Sequence, residues 1–142
     1  MTPAAIYAAL LSEIDDALER KVFQVLADDA GEQVSRPDMV FRVFGVYVQQ
    51  SELGNNKYDR QVRECIAMLR KRGYPIVSTS GGRGYKLTTD HAEINSYIAE
   101  QVARRDDLET VIRAMRGAFE RAATIREYRA TKVQVVQPGL FQ

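Results

Sequence analysis

Cysteine and histidine occur once each, as Cys65 and His91. A lone cysteine forms no internal disulfide, and the two together cannot supply the four ligands of a structural zinc site. The expectation is a chain without metal or cofactor in a reducing, cytoplasmic compartment. No run of about 18 apolar residues exists. The apolar start Ala4 to Leu11 follows no Lys or Arg and runs directly into Glu13, Asp15 and Asp16, so neither a membrane span nor a signal peptide is expected. Chemistry is also thinly represented. His91 adjoins a helix cap, Asp15–Asp16 and Asp28–Asp29 are adjacent rather than spaced to face each other, and Cys65 flanks an apolar helix face as a packing residue would. No nucleophile and base are paired, so no enzymatic activity is expected.

What is present is a folding composition. The chain has 142 residues, 45% hydrophobic and 27% charged, which suits one domain with an appended arm. The net charge of +1 is unevenly spread. Residues 1–35 carry seven acids against two bases, whereas residues 57–86 carry eight bases (Lys57, Arg60, Arg63, Arg70, Lys71, Arg72, Arg83, Lys86) against Asp59 and Glu64; the flanking stretches 36–56 and 87–142 balance. Almost all the excess positive charge therefore lies in one thirty-residue unit, the footprint expected of a polyanion binder. A solvated helix surface is the competing explanation.

Periodicity orders the elements. Ile6, Leu10, Ile14, Leu18, Val22, Val25 and Leu26 have helical spacing; Ser12 and Asp15 resemble a capping pair, so the segment reads either as one continuous helix or as two, and Gly31 ends it. Glu32 to Val34 suits a short strand. Ser35 as N-cap with Pro37 in the first turn opens a second helix, closed by Gly45. Val46 to Asn56 reads as a connecting loop, after which Asn56 caps a helix from Lys57 to about Arg72. At about 100° per residue, Val62, Ile66, Leu69 and Gly73 share its inner sector, flanked by Tyr58 and Cys65. Lys57, Arg60, Gln61, Glu64, Ala67 and Lys71 face outward, with Arg63 and Met68 at the margins. Pro75 to Thr79 and Gly84 to Leu87, joined through Ser80-Gly81-Gly82-Arg83, form a β-hairpin with Arg83 at its tip. The glycine-rich turn lacks the spacing and following helix of a phosphate-binding P-loop.

Helix, strand, capped helix, basic helix and hairpin follow one another in the order of a winged helix-turn-helix. The run Arg60 to Arg70, followed by Gly73-Tyr74-Pro75-Ile76 and Gly84-Tyr85-Lys86-Leu87, resembles the recognition helix and wing of the biotin-repressor-like class, and most of all the small phage- and prophage-encoded winged-helix proteins. The likeness covers roughly residues 16–88, and the run from Leu69 to Leu87 carries most of it; the connection from Val46 to Asn56 is longer than that pattern's tight turn. The resemblance implies an α+β, mostly helical fold, a winged helix-turn-helix with a long C-terminal helical arm. It also implies binding to double-stranded DNA, with the third helix in the major groove and the wing on an adjacent groove or the backbone. Residue chemistry points the same way. Arg60 and Arg63 suit guanine, Gln61 adenine and Glu64 cytosine, while Lys57, Lys71, Arg83 and Lys86 suit phosphates. A phage or prophage transcriptional regulator is the role this favours; a protein-binding adaptor on the same fold is an alternative.

Asp90 as cap and Glu93 three residues on open a long helix that meets no proline before Pro138. From His91 to Arg129 it would measure roughly 58 Å. Ile94, Ile98, Gln101, Arg105, Leu108, Ile112, Met115, Phe119 and Ala122 alternate at four and three, mostly apolar, as in a two-stranded coiled coil or helical hairpin. Homodimerisation through residues 91–129 is the expectation, with a bend near Arg105 as its competitor. The chain thus divides into an N-terminal helical extension (1–15), the DNA-binding domain (16–89), the arm (90–132) and a tail (133–142). In the tail, Gln137, Leu140 and Phe141 resemble the peptide with which bacterial proteins occupy the cleft of the DNA polymerase sliding clamp, although Pro138 stands where that pattern has Leu. This similarity implies a second alternative, a replication-associated protein recruiting the clamp; an ordinary frayed terminus, or one packed on the dimer, is the reading these residues favour over it.

Overall fold

The computed structural model describes residues 2–78, 81 and 83–140, with side chains described through Thr131. It is α+β and mostly helical, and divides into two units, Met1–Ile98 and Ala99–Gln142.

Within the first unit, local capping chemistry sets the helix starts. α1 (Pro3–Ser12) begins at Thr2 and α2 (Ala17–Asp28) at Asp16, whose carboxylate accepts from the Glu19 N–H at 2.9 Å. Two helices therefore replace one continuous segment, but the cap is Asp16; the Ser12 hydroxyl bonds back to the Ala9 carbonyl at 2.6 Å and so serves the helix it ends. β1 (Val34–Ser35) leads straight into α3 (Arg36–Phe44), where Ser35 Oγ accepts from Asp38 N–H and Gly45 closes the helix at φ +72°, a left-handed position that glycine adopts without strain. The connection to the next helix is not a bare loop. It contains a 3-10 helix, Gln50–Asn55, whose Leu53 packs with Val40 and Val48 against Phe44 and Tyr58. This small cluster accounts for the length of the connection, since its residues form core of their own. α4 (Lys57–Lys71) follows, capped by Asn56, whose Oδ1 accepts from the Tyr58 and Asp59 N–H groups at 2.9 Å.

β2 (Ile76–Ser78) and β3 (Gly84–Leu87) form the hairpin, and β3 lies between β1 and β2 in a three-stranded antiparallel sheet. Val34 pairs with Tyr85 and Ser35 with Gly84; on the other edge Ile76 pairs with Leu87 and Ser78 with Tyr85. Gly84 is demanded by contact. A Cβ there would stand 2.3 Å from the Val34 carbonyl oxygen. The core is built from α2 (Val22, Phe23, Leu26), α3 (Met39, Val43), α4 (Val62, Ile66, Leu69) and the strands (Val34, Ile76, Leu87). Residues 1–15 contribute to it through Tyr7 and Ile14, and the Tyr74 hydroxyl donates to the Leu10 carbonyl.

α5 (His91–Leu140) opens at Asp90, which accepts from Ala92 N–H at 2.9 Å. Its backbone is continuous through Arg105, where the sequence allowed a bend, and passes beyond Lys132, where the sequence reading ends the arm. No proline or cap intervenes between Arg129 and Pro138, so the change of composition at Lys132 does not stop the ladder. Among the described residues no helix is long and apolar enough to cross a membrane.

Candidate nucleic-acid interface

α4 supplies the basic surface. Its inner face carries Val62, Cys65, Ile66 and Leu69, all buried, and its outer face exposes Lys57, Arg60, Gln61, Arg63, Glu64, Ala67, Met68 and Lys71. Every α4 residue assigned to DNA from the sequence therefore lies on one solvent-facing strip. Lys57 rests with its ammonium 5.0 Å from the Tyr58 ring centre. Arg83 is exposed ahead of β3. Lys86 is differently placed. Its ammonium donates to Glu93 Oε1 at 2.7 Å, and this bond holds the Glu93 carboxyl below its ordinary range. The charge of Lys86 is already compensated within the first unit. Of the tail residues, the side chains of Gln137 and Leu140, and Phe141 altogether, lie outside the described residues.

The acids of residues 1–35 leave this strip open. Among the described residues, the ion pair linking them to the 57–86 segment is Glu19 with Arg72, at 2.9 Å, beyond the C-terminal end of α4. Asp29 is taken by Arg42 at 2.7 Å.

Three residues that matter to the geometry escaped the sequence reading: Arg36, Asp59 and Arg70. Asp59 sits on the inner face of α4 and is fully buried. Its Oδ1 accepts from Arg36 Nε at 3.0 Å, and its Oδ2 accepts from Arg36 Nη2 and from Arg63 Nε, the latter at 3.0 Å. The hydrogen bonds to Asp59 raise the Arg36 pKa further above its already high value. One carboxylate thus ties the start of α3 to the first turn of α4 and fixes the rotamer of Arg63, which stays half exposed. The signal was available, because Asp59 falls on the stripe of Val62, Ile66 and Leu69, and a carboxylate on an apolar stripe needs a buried cation. Its partner, 23 residues upstream, had no local signal.

Arg70 turns inward. Nε donates to the Ile76 carbonyl at 2.8 Å and Nη2 to Ser78 Oγ at 2.7 Å, while its guanidinium carbon lies 4.9 Å from the Tyr97 ring centre and 5.9 Å from that of Tyr85. Burial pushes its pKa down, yet an arginine starts so high that it remains charged at neutral pH. Arg36, Arg63, Ile66, Arg70, Ser78 and Tyr85 together line an open cleft of about 300 Å³ between α4 and the hairpin.

Cys65 is buried, and desolvation, with Glu19, Asp16 and Glu64 adding to it, pushes its thiol up to about 11. It is a packing residue without thiolate character. Compared with protein-family models, curated proteins and solved structures, the chain matches none.

Proposed function

We propose that the first unit is a winged helix-turn-helix that binds double-stranded DNA, with α2, α3 and α4 as its helices, β2 and β3 as its wing, and α4 as the element entering the major groove. One observation carries this reading: a largely basic strip on α4 faces solvent, and among the described residues the acids of residues 1–35 form no ion pair with it. Ala67 lies mid-strip, and its small side chain leaves room for a close approach. In this arrangement Arg60, Gln61, Arg63 and Glu64 read base edges, and Lys57, Lys71 and Arg83 hold phosphates. Asp59 positions Arg63 for its contact by fixing Nε. Lys86, tied to Glu93, contributes little.

The same proposal makes the chain a dimeric transcriptional regulator of the phage or prophage type. Ile98, Leu108, Ile112, Met115 and Phe119 are exposed along α5 at coiled-coil spacing. Pairing of this face with a second copy would cover them and present two reading heads to two half-sites. A salt titration of binding to a random duplex tests the DNA reading. About six neutralised phosphates give a slope of about −5 for the logarithm of affinity against the logarithm of salt. A flat profile, or no binding at low salt, overturns it.

A further inference from the structure

We infer that the cleft between α4 and the hairpin, lined by Arg36, Arg63, Arg70, Ser78 and Tyr85, is a built phosphate-binding site. It deepens the DNA reading where the phosphate belongs to a duplex, Arg63 then turning to phosphate rather than to a base edge, but the site rests on its own residues.

The first ground is an imbalance of charge. Three guanidiniums line or enter the cleft, and Asp59 is the single carboxylate bonded to any of them among the described residues. The cleft therefore carries two positive charges more than it neutralises.

The second ground is geometry. Arg70 is half-buried and desolvated, and among the described residues it has no acidic partner. Its Nε and Nη2 are bonded to neutral oxygens, its plane is braced by two tyrosine rings, and Nη1 has no acceptor among the described residues. Arg63 likewise gives only Nε to Asp59, so its terminal NH2 groups remain available. Ser78 Oγ accepts from Arg70, which leaves its own proton to donate into the cleft. Fixed guanidinium forks beside a hydroxyl donor suit a tetrahedral oxyanion that accepts several charge-assisted hydrogen bonds at once.

The third ground is position. Arg63 belongs both to the cleft and to the solvent-facing strip of α4. A duplex lying on that strip would therefore run beside the cleft, with Arg63 common to both. A free phosphate or phosphomonoester offers the same chemistry from a second source.

The test uses the full chain labelled with ¹⁵N, and follows the arginine Nε–H resonances while inorganic phosphate replaces chloride at constant ionic strength. The expected result is a saturable shift of Arg63 and Arg70 that Arg60 and Arg83 do not share. A parallel titration with a short duplex identifies the source. If the phosphate comes from DNA, Arg70 moves together with Arg60, and Arg70→Lys, which keeps the charge but loses the fork, weakens duplex binding about tenfold. If it comes from a small molecule, Arg70 moves with inorganic phosphate alone and Arg70→Lys leaves duplex affinity unchanged. Should Arg70→Lys fail to fold, Arg63→Gln, which leaves the Arg36–Asp59 pair intact, must weaken the phosphate-induced shift of Arg70 by a similar factor. Shifts of Arg60 with DNA while Arg63 and Arg70 respond to neither titrant as a pair would overturn the site and leave the DNA reading standing. Saturable phosphate shifts without any duplex binding would do the reverse.

Discussion

At the scale of single residues, the molecule is organised around one buried charge. Asp59 is fully buried while Arg36 and Arg63 keep 22% and 48% of their side-chain surface, so the two arginines are not equivalent. Removing Arg36 takes two of the three bonds from a carboxylate that cannot reach water; removing Arg63 takes one, from the partner that solvent already screens. Chemical denaturation should therefore show Arg36→Ala losing about 3 kcal/mol and Arg63→Ala about 1 kcal/mol or less. Equal losses would mean that Asp59 finds other partners. Cys65 gives a second prediction. Its folded pKa of about 11 lies above a thiol's ordinary value of 9.0, so the stability it contributes is complete below pH 9 and declines as pH rises from 9 through 11, because the unfolded chain ionises first. Wild type should lose more stability over that window than Cys65→Ala, in which Tyr7, Tyr74 and Tyr85, also raised by desolvation, still contribute to the decline, and alkylation of the native thiol at pH 8 should be slow. A thiol that reacts at the rate of the unfolded chain would contradict the burial.

At the scale of elements, helix existence and facing were legible in the sequence because their causes are local. Ser35 and Asn56 cap the helices they precede, Gly45 ends one, and the period through Val62, Ile66 and Leu69 separates the inner from the outer face of α4. The cap of α2 was missed, Asp16 for Ser12, since Ser12 with Asp15 and Asp16 with Glu19 have the same capping spacing and only the backbone turn chooses between them. Long-range pairings were illegible for a different reason. Arg36 with Asp59, Arg70 with Ser78 and Lys86 with Glu93 depend on how elements are brought together, and no spacing along the chain announces them. Gly84 illustrates both levels. Its turn chemistry was visible, whereas its closeness to Val34 arises from the pairing of β1 with β3. Gly84→Ala should force these backbones apart and destabilise the domain by about 2 kcal/mol, measured by thermal or denaturant unfolding; a neutral substitution would mean that β1 does not pair there.

At the scale of the whole molecule, the proposal joins a reading head to a means of association. The sequence showed that the positive charge was concentrated, but not whether acidic residues of the amino-terminal region covered it. In the structure Glu19 pairs with Arg72 and Asp29 with Arg42, away from the outward strip of α4. Exposed apolar residues on α5 predict that the chain sediments as a dimer at micromolar concentration, and that a chain lacking residues 91–132 does not; a monomeric full-length chain would remove the two-half-site arrangement. The most direct test of the central claim, that the outer face of α4 touches DNA bases, is a mobility-shift comparison of Arg60→Ala with Arg83→Ala. It would use a duplex selected by the wild-type chain from a random pool, beside an unselected one. Arg60→Ala should erase most of the preference for the selected duplex, while Arg83→Ala weakens both duplexes alike; two variants that bind both duplexes as wild type does would contradict the account.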